Sequence, residues 1–290
     1  MRTETDFSGL WIPLVTPFRK GRVDHIALAA LVKHLSGCGV AGFVACGSTG
    51  EAAALDSSEQ LAVLDTVLAA STGLPVAMGL SGHQLAETRR WLTVLCERPI
   101  AGLLVPPPTY IRPSQEGLLS WFRTLADAAT VPLIVYDIPY RTGATIQRDT
   151  LLALAQHPRI AAVKDCGGDP AKTLAVLSQG QLQVLAGEDL QIFASVAQGA
   201  VGAIAASAHW GTTSFVRLLG LLREGDLPAA RAQWHRLVPW IEMAFAEPNP
   251  AMIKAALARD GRIRNELRLP MTRATAARAA QARIRRRQKS

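Results

Sequence analysis

Two side chains in this sequence sit where covalent and acid–base chemistry could be done. Lys164 ends the run Ile160-Ala161-Ala162-Val163-Lys164, and the period of two along an extended chain puts it on the same side as Ala162 and Ile160. A lysine turned into an apolar interior loses the hydration that favours its ammonium form, and a neutral amine can add to a carbonyl to form a Schiff base. The other reading of the same residue is a strand-end cation that reaches back to water or pairs with Asp165. Tyr136 ends the preceding apolar run on the side of Ile134. On a neighbouring strand its phenol could carry protons to and from such an adduct, or simply satisfy its hydroxyl in a core. The third feature is the loop Cys46-Gly47-Ser48-Thr49-Gly50-Glu51. Its glycines permit a sharp turn, and its amides and hydroxyls suit a carboxylate near a helix N-terminus. A plain strand-to-helix turn is the alternative; a nucleotide cradle is disfavoured because the Gly-Lys-Ser/Thr ending of a phosphate loop is absent.

Eight apolar runs of strand length can position these groups, starting at Trp11, Ala41, Pro75, Gly102, Pro132, Ile160, Leu182 and Ala200. Their near-continuous hydrophobicity is what strands covered on both faces require. Helical patterns separate them. Asp24 can cap a helix burying Leu28, Leu31, Val32 and Leu35; Asp56 and Glu59 form a capping box before Leu61, Leu64 and Leu68; another helix starts near Ser114 with Leu118, Phe122 and Leu125 inward. Eight β-α units predict an α/β fold, a closed (β/α)8 TIM barrel over residues 1–225, rather than an open sheet, which would carry a nucleotide fingerprint. Residues 226–290 read as a C-terminal extension of three helices, at 227–245, at 250–258 and from about Thr272. In such a barrel the active site lies at the carboxyl ends of the strands, where Lys164, Tyr136 and the Gly47–Glu51 loop fall.

Composition narrows the function classes. With 290 residues, 49% hydrophobic and 19% charged, the chain has ample material for a core. Its net charge of +8 raises nucleic acid as a partner, but ten basic residues and one acidic follow Gly261, so the excess is local to the C-terminal end. That end lacks interleaved aromatics, and nucleic-acid binding is disfavoured. The start lacks the basic and apolar regions of a secretory signal, no run is long enough to span a bilayer, and the expectation is a cytoplasmic protein. Four scattered cysteines predict reduced core thiols, and no histidine spacing suggests a metal site.

Taken together, the segments resemble the dihydrodipicolinate synthase branch of the pyruvate-dependent lyase and aldolase superfamily that includes N-acetylneuraminate lyase. The resemblance spans nearly the whole chain. It is carried, in order, by P-L-V-T-P-F at 13–18, G-S-T-G-E at 47–51, Y-x-x-P-x-R-T-G at 136–143, V-K-D around Lys164, G-E-D at 187–189, E-P-N-P at 247–250 and L-R-L-P-M at 267–271. It implies that Lys164 forms an imine with pyruvate and that Ser48, Thr49 and Gly50 hold the pyruvate carboxylate. Tyr136, Ser48 and Tyr110 would form a proton relay, with Tyr110 reaching into a neighbouring subunit's site. Arg141 would bind the carboxylate of L-aspartate 4-semialdehyde, and Gly187 and Ile204 would line the pocket. It further implies a homo-oligomer, dimer or dimer of dimers, and chemistry without an external cofactor. A related lyase of 2-keto-3-deoxy sugar acids shares Lys164 and the loop; Arg141 and E-P-N-P favour the synthase.

The sequence departs from the family pattern at several positions. Ser48 stands where threonine is usual, Thr109 where a second tyrosine is common, Asp137 where asparagine is frequent, and Tyr140 where smaller residues occur. Positions matching the lysine-feedback site of some members, Ala52, Ser57, Gln60, His83, Glu87 and Thr109, lack several of its usual groups. The expectation is weak or absent lysine inhibition.

Overall fold

The computed structural model describes residues 5–275. Eight parallel strands close on themselves: β1 (Gly9–Pro13), β4 (Gly42–Ala45), β5 (Val76–Gly79), β6 (Gly102–Val105), β7 (Leu133–Asp137), β8 (Ile160–Asp165), β9 (Gln183–Ala186) and β10 (Gly202–Ile204). Each pairs with its neighbours in sequence, and β1 pairs with both β4 and β10 to close the barrel. The remaining two strands, β2 (Phe18–Arg19) and β3 (Arg22–Val23), form a small antiparallel hairpin after β1 that the apolar runs did not signal, because it is too short to show alternation. The closed barrel of eight β-α units agrees with expectation.

The helices begin where side chains can take up free backbone amides. Asp24 accepts from Ala27 N at 3.0 Å to start His25–Ser36, and Asp56 accepts from Glu59 N at 2.8 Å at the head of Ser57–Ala70. Ser114 caps Gln115–Ala128, whose Leu118, Phe122 and Leu125 are buried. In Ser57–Ala70 the inward stripe runs through Val63, Leu64 and Val67, leaving Leu61 and Leu68 only half-buried at its margin.

The apolar groups fall into two layers. Trp11, Val44, Ala77, Leu104, Ile134, Tyr136, Ala162, Leu185 and Ile204 fill the barrel interior, while a larger cluster lies between strands and helices. Ile160 belongs to the outer layer, contrary to the strict period of two. The β7–β8 register shifts between Leu133 and Ile134, and the slip places Ile160 on the other face while leaving Ala162 inward.

Beyond β10, helices Thr212–Arg223, Leu227–Ala244 and Ala251–Arg259 follow. Trp240 packs against Trp210, with ring centroids 4.6 Å apart and planes tilted by 48°, and donates its indole N–H to Ser207 O at 2.7 Å. Leu237, Ile241, Ile253 and Leu257 thereby join the outer core. Of the helix expected from Thr272, residues 272–275 are not helical and the rest lies outside the described residues. Among the described residues no helix is long and apolar enough to cross a membrane.

Candidate active site

The strand register brings Tyr136 and Lys164 directly opposite each other on β7 and β8. Lys164 is 5% exposed, and its Nζ donates to the Tyr136 hydroxyl at 3.2 Å and lies 4.2 Å from the phenol ring centroid. The alternative partner, Asp165, is committed elsewhere: its carboxylate accepts from Gly167 N at 2.8 Å and from the Thr173 hydroxyl. Lys164 makes no ion pair among the described residues. Gly187, on the next strand end, is required here, since a Cβ at that position would lie 2.7 Å from Lys164 Cγ and 2.6 Å from Cys166 Sγ.

Burial pushes the Tyr136 phenol well above the usual tyrosine range, the neighbouring Cys166 adds to the rise, and a hydrogen bond with Ser48 draws it back. The phenol is therefore a neutral group, able to pass a proton through its hydroxyl without becoming a standing anion. Ser48 and Thr49 open a 3₁₀ turn after β4, and both line the same pocket. Gly50 lies behind them; its carbonyl accepts from the Thr16 hydroxyl at 2.7 Å. Arg141, on the short helix Pro139–Thr142, stands at the exposed rim with its guanidinium 5.8 Å from the Tyr140 ring centroid.

One pocket thus gathers Lys164, Tyr136, Ser48, Thr49, Arg141, Gly187 and Ile204. Tyr110 stands apart: it is 96% exposed, on the loop after β6, with a left-handed backbone at φ 76°. Several pocket groups were not singled out as site residues from the sequence. Glu188 and Asp189 share the G-E-D segment, Tyr140 lies beside Arg141, and Asn249 belongs to E-P-N-P, so motif position was the available signal; Phe245 had none. Burial and the Asp189 charge raise the Glu188 carboxyl, while Lys164 and Arg141 pull it down. Asp189 is raised by burial and held by Ser207 through N at 2.7 Å and Oγ at 2.5 Å. His209 is buried with Nε2 against Val15 N at 3.2 Å and Nδ1 against Ala206 O at 2.8 Å, and burial pushes it down to about 4. Cys46 and Cys166 are free thiols pushed by burial up to about 12. Among the described residues no group of three or more His, Cys, Asp or Glu is arranged to hold a metal ion.

A closed parallel barrel with its polar groups gathered at the strand carboxyl ends around a buried lysine is the architecture of a (β/α)8 lyase of the class I aldolase type, and this chain is one. The model of the Dihydrodipicolinate synthetase family matches residues 6–285. The 4-hydroxy-tetrahydrodipicolinate synthase 2 of Clostridium acetobutylicum is 35% identical over 91% of this chain and 93% of its own length. The 4-hydroxy-tetrahydrodipicolinate synthase of Thermodesulfovibrio yellowstonii is 36% identical over 91% and 92%. The crystal structure of dihydrodipicolinate synthase from Aquifex aeolicus matches with a TM-score of 0.94 at 29% identity, covering 97% of this chain and 98% of that one. The chain belongs to the dihydrodipicolinate synthetase family.

Proposed function

We propose that the protein condenses pyruvate with L-aspartate 4-semialdehyde to give 4-hydroxy-tetrahydrodipicolinate, a step toward diaminopimelate and lysine. The observation that carries this reading is the Lys164 amine held at 3.2 Å from the Tyr136 hydroxyl in a pocket that also contains the Ser48 and Thr49 hydroxyls and Arg141. The Lys164 amine adds to the pyruvate keto carbon, and water leaves to form the imine. A methyl proton is then lost to give the enamine, whose carbon attacks the aldehyde while the aldehyde oxygen takes a proton. The amino group of the second substrate attacks the imine carbon, closing the ring and freeing Lys164. Tyr136, with Ser48, moves these protons; the hydroxyls of Ser48 and Thr49 hold the pyruvate carboxylate; Arg141 pairs with the carboxylate of the aldehyde. As written, the chemistry needs no cofactor beyond the covalent adduct on Lys164.

Tyr110 completes the relay from a second copy of the chain, so the working unit is at least a dimer. The altered groups at Ser57, Gln60, His83 and Thr109 support weak or absent inhibition by lysine, and half-inhibition at micromolar to low-millimolar lysine in a steady-state assay would overturn that point. Borohydride trapping with pyruvate, read by mass at Lys164, tests the nucleophile. A panel of aldehydes then tests the acceptor: turnover with L-aspartate 4-semialdehyde well above that with sugar-derived aldehydes supports the synthase, and the reverse order supports a sugar-acid lyase.

A further inference from the structure

The loop assigned above to the ketoacid carboxylate is not held by the barrel alone. Glu51, which ends its 3₁₀ turn, adopts a left-handed backbone at φ 53°, ψ 37°, a conformation that a non-glycine residue keeps only when its surroundings fix it. Two ties from residues 249–268 hold the loop, the first of them at Glu51 itself. Lys254, on helix Ala251–Arg259, forms an ion pair with Glu51 in which the two side chains are 0% and 1% exposed. The same Nζ donates to Glu266 O at 2.8 Å, and the other Glu51 oxygen accepts from Arg268 N at 3.1 Å. Arg268 in turn is anchored to the region after β1 and β4, donating to Gly21 O and Ala54 O, each at 2.8 Å, and to both Glu59 oxygens at 2.6 Å. The second tie is from Asn249, whose Nδ2 donates to Thr49 Oγ1 at 2.9 Å. A hydroxyl has one proton and two acceptor directions, so an amide donor on one acceptor direction leaves the Thr49 O–H to point elsewhere, and Thr49 faces the pocket.

We propose that the C-terminal segment 249–268 is a working part of the substrate site, with Lys254 and Asn249 as positioning residues that set the geometry of the Gly47–Glu51 loop and hence its affinity for the ketoacid carboxylate. This rests on the reading of Lys164 and that loop given above. A buried ion pair is a poor source of net stability, since well-packed neutral replacements often do as well, but it fixes direction, and here it fixes the residue that turns the loop. Lys254 does not line the pocket; it acts through Glu51.

The test compares the full-length parent with Lys254→Met, Glu51→Gln, the double variant and Asn249→Ala. Each is read by melting temperature, steady-state kinetics, and the pyruvate concentration that half-saturates borohydride trapping. The single variants at the pair lose thermal stability because they leave one buried charge unpartnered. The double variant recovers most of that loss yet keeps a half-saturating pyruvate concentration about tenfold above the parent, with kcat changed less than about threefold. Asn249→Ala keeps the parental melting temperature and shows a rise of about fivefold, so the proposal stays testable if Lys254→Met does not fold. A double variant with recovered stability and parental half-saturation overturns the proposal, as does parental half-saturation in Asn249→Ala. A parent that traps no pyruvate overturns both the proposal and the catalytic reading beneath it, whereas failure of the proposal alone leaves trapping in the parent intact.

Discussion

Lys164 and Lys254 are both buried lysines beside one loop, and they differ in the partners they meet. Lys254 faces the Glu51 carboxylate and a backbone carbonyl, and although burial pushes its ammonium below the usual lysine range, Glu51 pulls it back. Lys172 is the same kind of group, 3% exposed and paired with the fully buried Asp137, and it also donates to Ile146 O at 3.0 Å. Among the described residues Lys164 forms no ion pair; it donates to the Tyr136 phenol, and the Glu188 and Asp189 carboxylates act on it only from a distance. A lysine locked to a carboxylate is a strut, because leaving would strand two charges; a lysine beside a neutral hydroxyl can exchange that contact for a carbonyl carbon. The partner, more than the depth of burial, separates nucleophile from support.

The largest test removes the lysine proposed as the nucleophile. Lys164→Met is expected to lower kcat by at least about 10³-fold and to abolish trapping of pyruvate while leaving the melting temperature close to that of the parent. Retained trapping would assign the amine elsewhere. Breaking a strut should do the reverse. Lys172→Met leaves Asp137 buried without its cation and should cost about 3–5 kcal/mol in denaturant unfolding, and adding Asp137→Asn should return much of it. If Lys172→Met unfolds like the parent, the division between lysines fails.

His209 is buried with no charged partner, and its acid limit follows from that. Its folded pKa of about 4 lies below its ordinary 6.5, so the stability tied to its neutral form is fully present above about pH 6.5 and is lost as pH falls toward 4. The loss amounts to about 3 kcal/mol. Unfolding free energies between pH 4 and 7 for the parent and His209→Gln should diverge by that amount, and parallel curves would exclude this histidine as the cause. A smaller effect is expected on the proposed relay: Tyr136→Phe should reduce kcat about 10²-fold while pyruvate is still trapped. The smallest is Ser48→Thr, which keeps the hydroxyl and stiffens its rotamer, for a change in kcat of less than about threefold measured at saturating substrates.

Much of this arrangement was legible in the residues. Eight apolar runs became eight barrel strands because strands covered on both faces have little room for polar groups, and Asp24, Asp56 with Glu59, and Ser114 marked helix starts because free amides there need acceptors. Lys164 was visible as a cation ending an apolar run, and Tyr136 as its counterpart one strand earlier. Ile160 was misread because a register slip is a property of two strands, and neither strand displays it alone. Lys254 carried no signal, since a single lysine in the apolar stretch Ala-Met-Ile-Lys-Ala-Ala-Leu-Ala looks like a solvated helix position until Glu51 is brought to it from 203 residues away. Glu188 and Asn249 stood in motifs already noted, but only their shared pocket with Arg141 gives them a setting.

The sequence by itself determined the class of fold, the strand that ends in Lys164 and the loop that shares its pocket, because periodicity, capping and turn chemistry act over a few residues. The tertiary structure decided which buried lysine meets a phenol and which meet carboxylates. It also decided that Tyr110 is exposed, away from its own pocket, and that Asn249, Lys254 and Arg268 contact the Gly47–Glu51 loop. Those outcomes depend on where barrel closure and helix docking bring distant residues, and burial then makes the partner found there decide between chemistry and support.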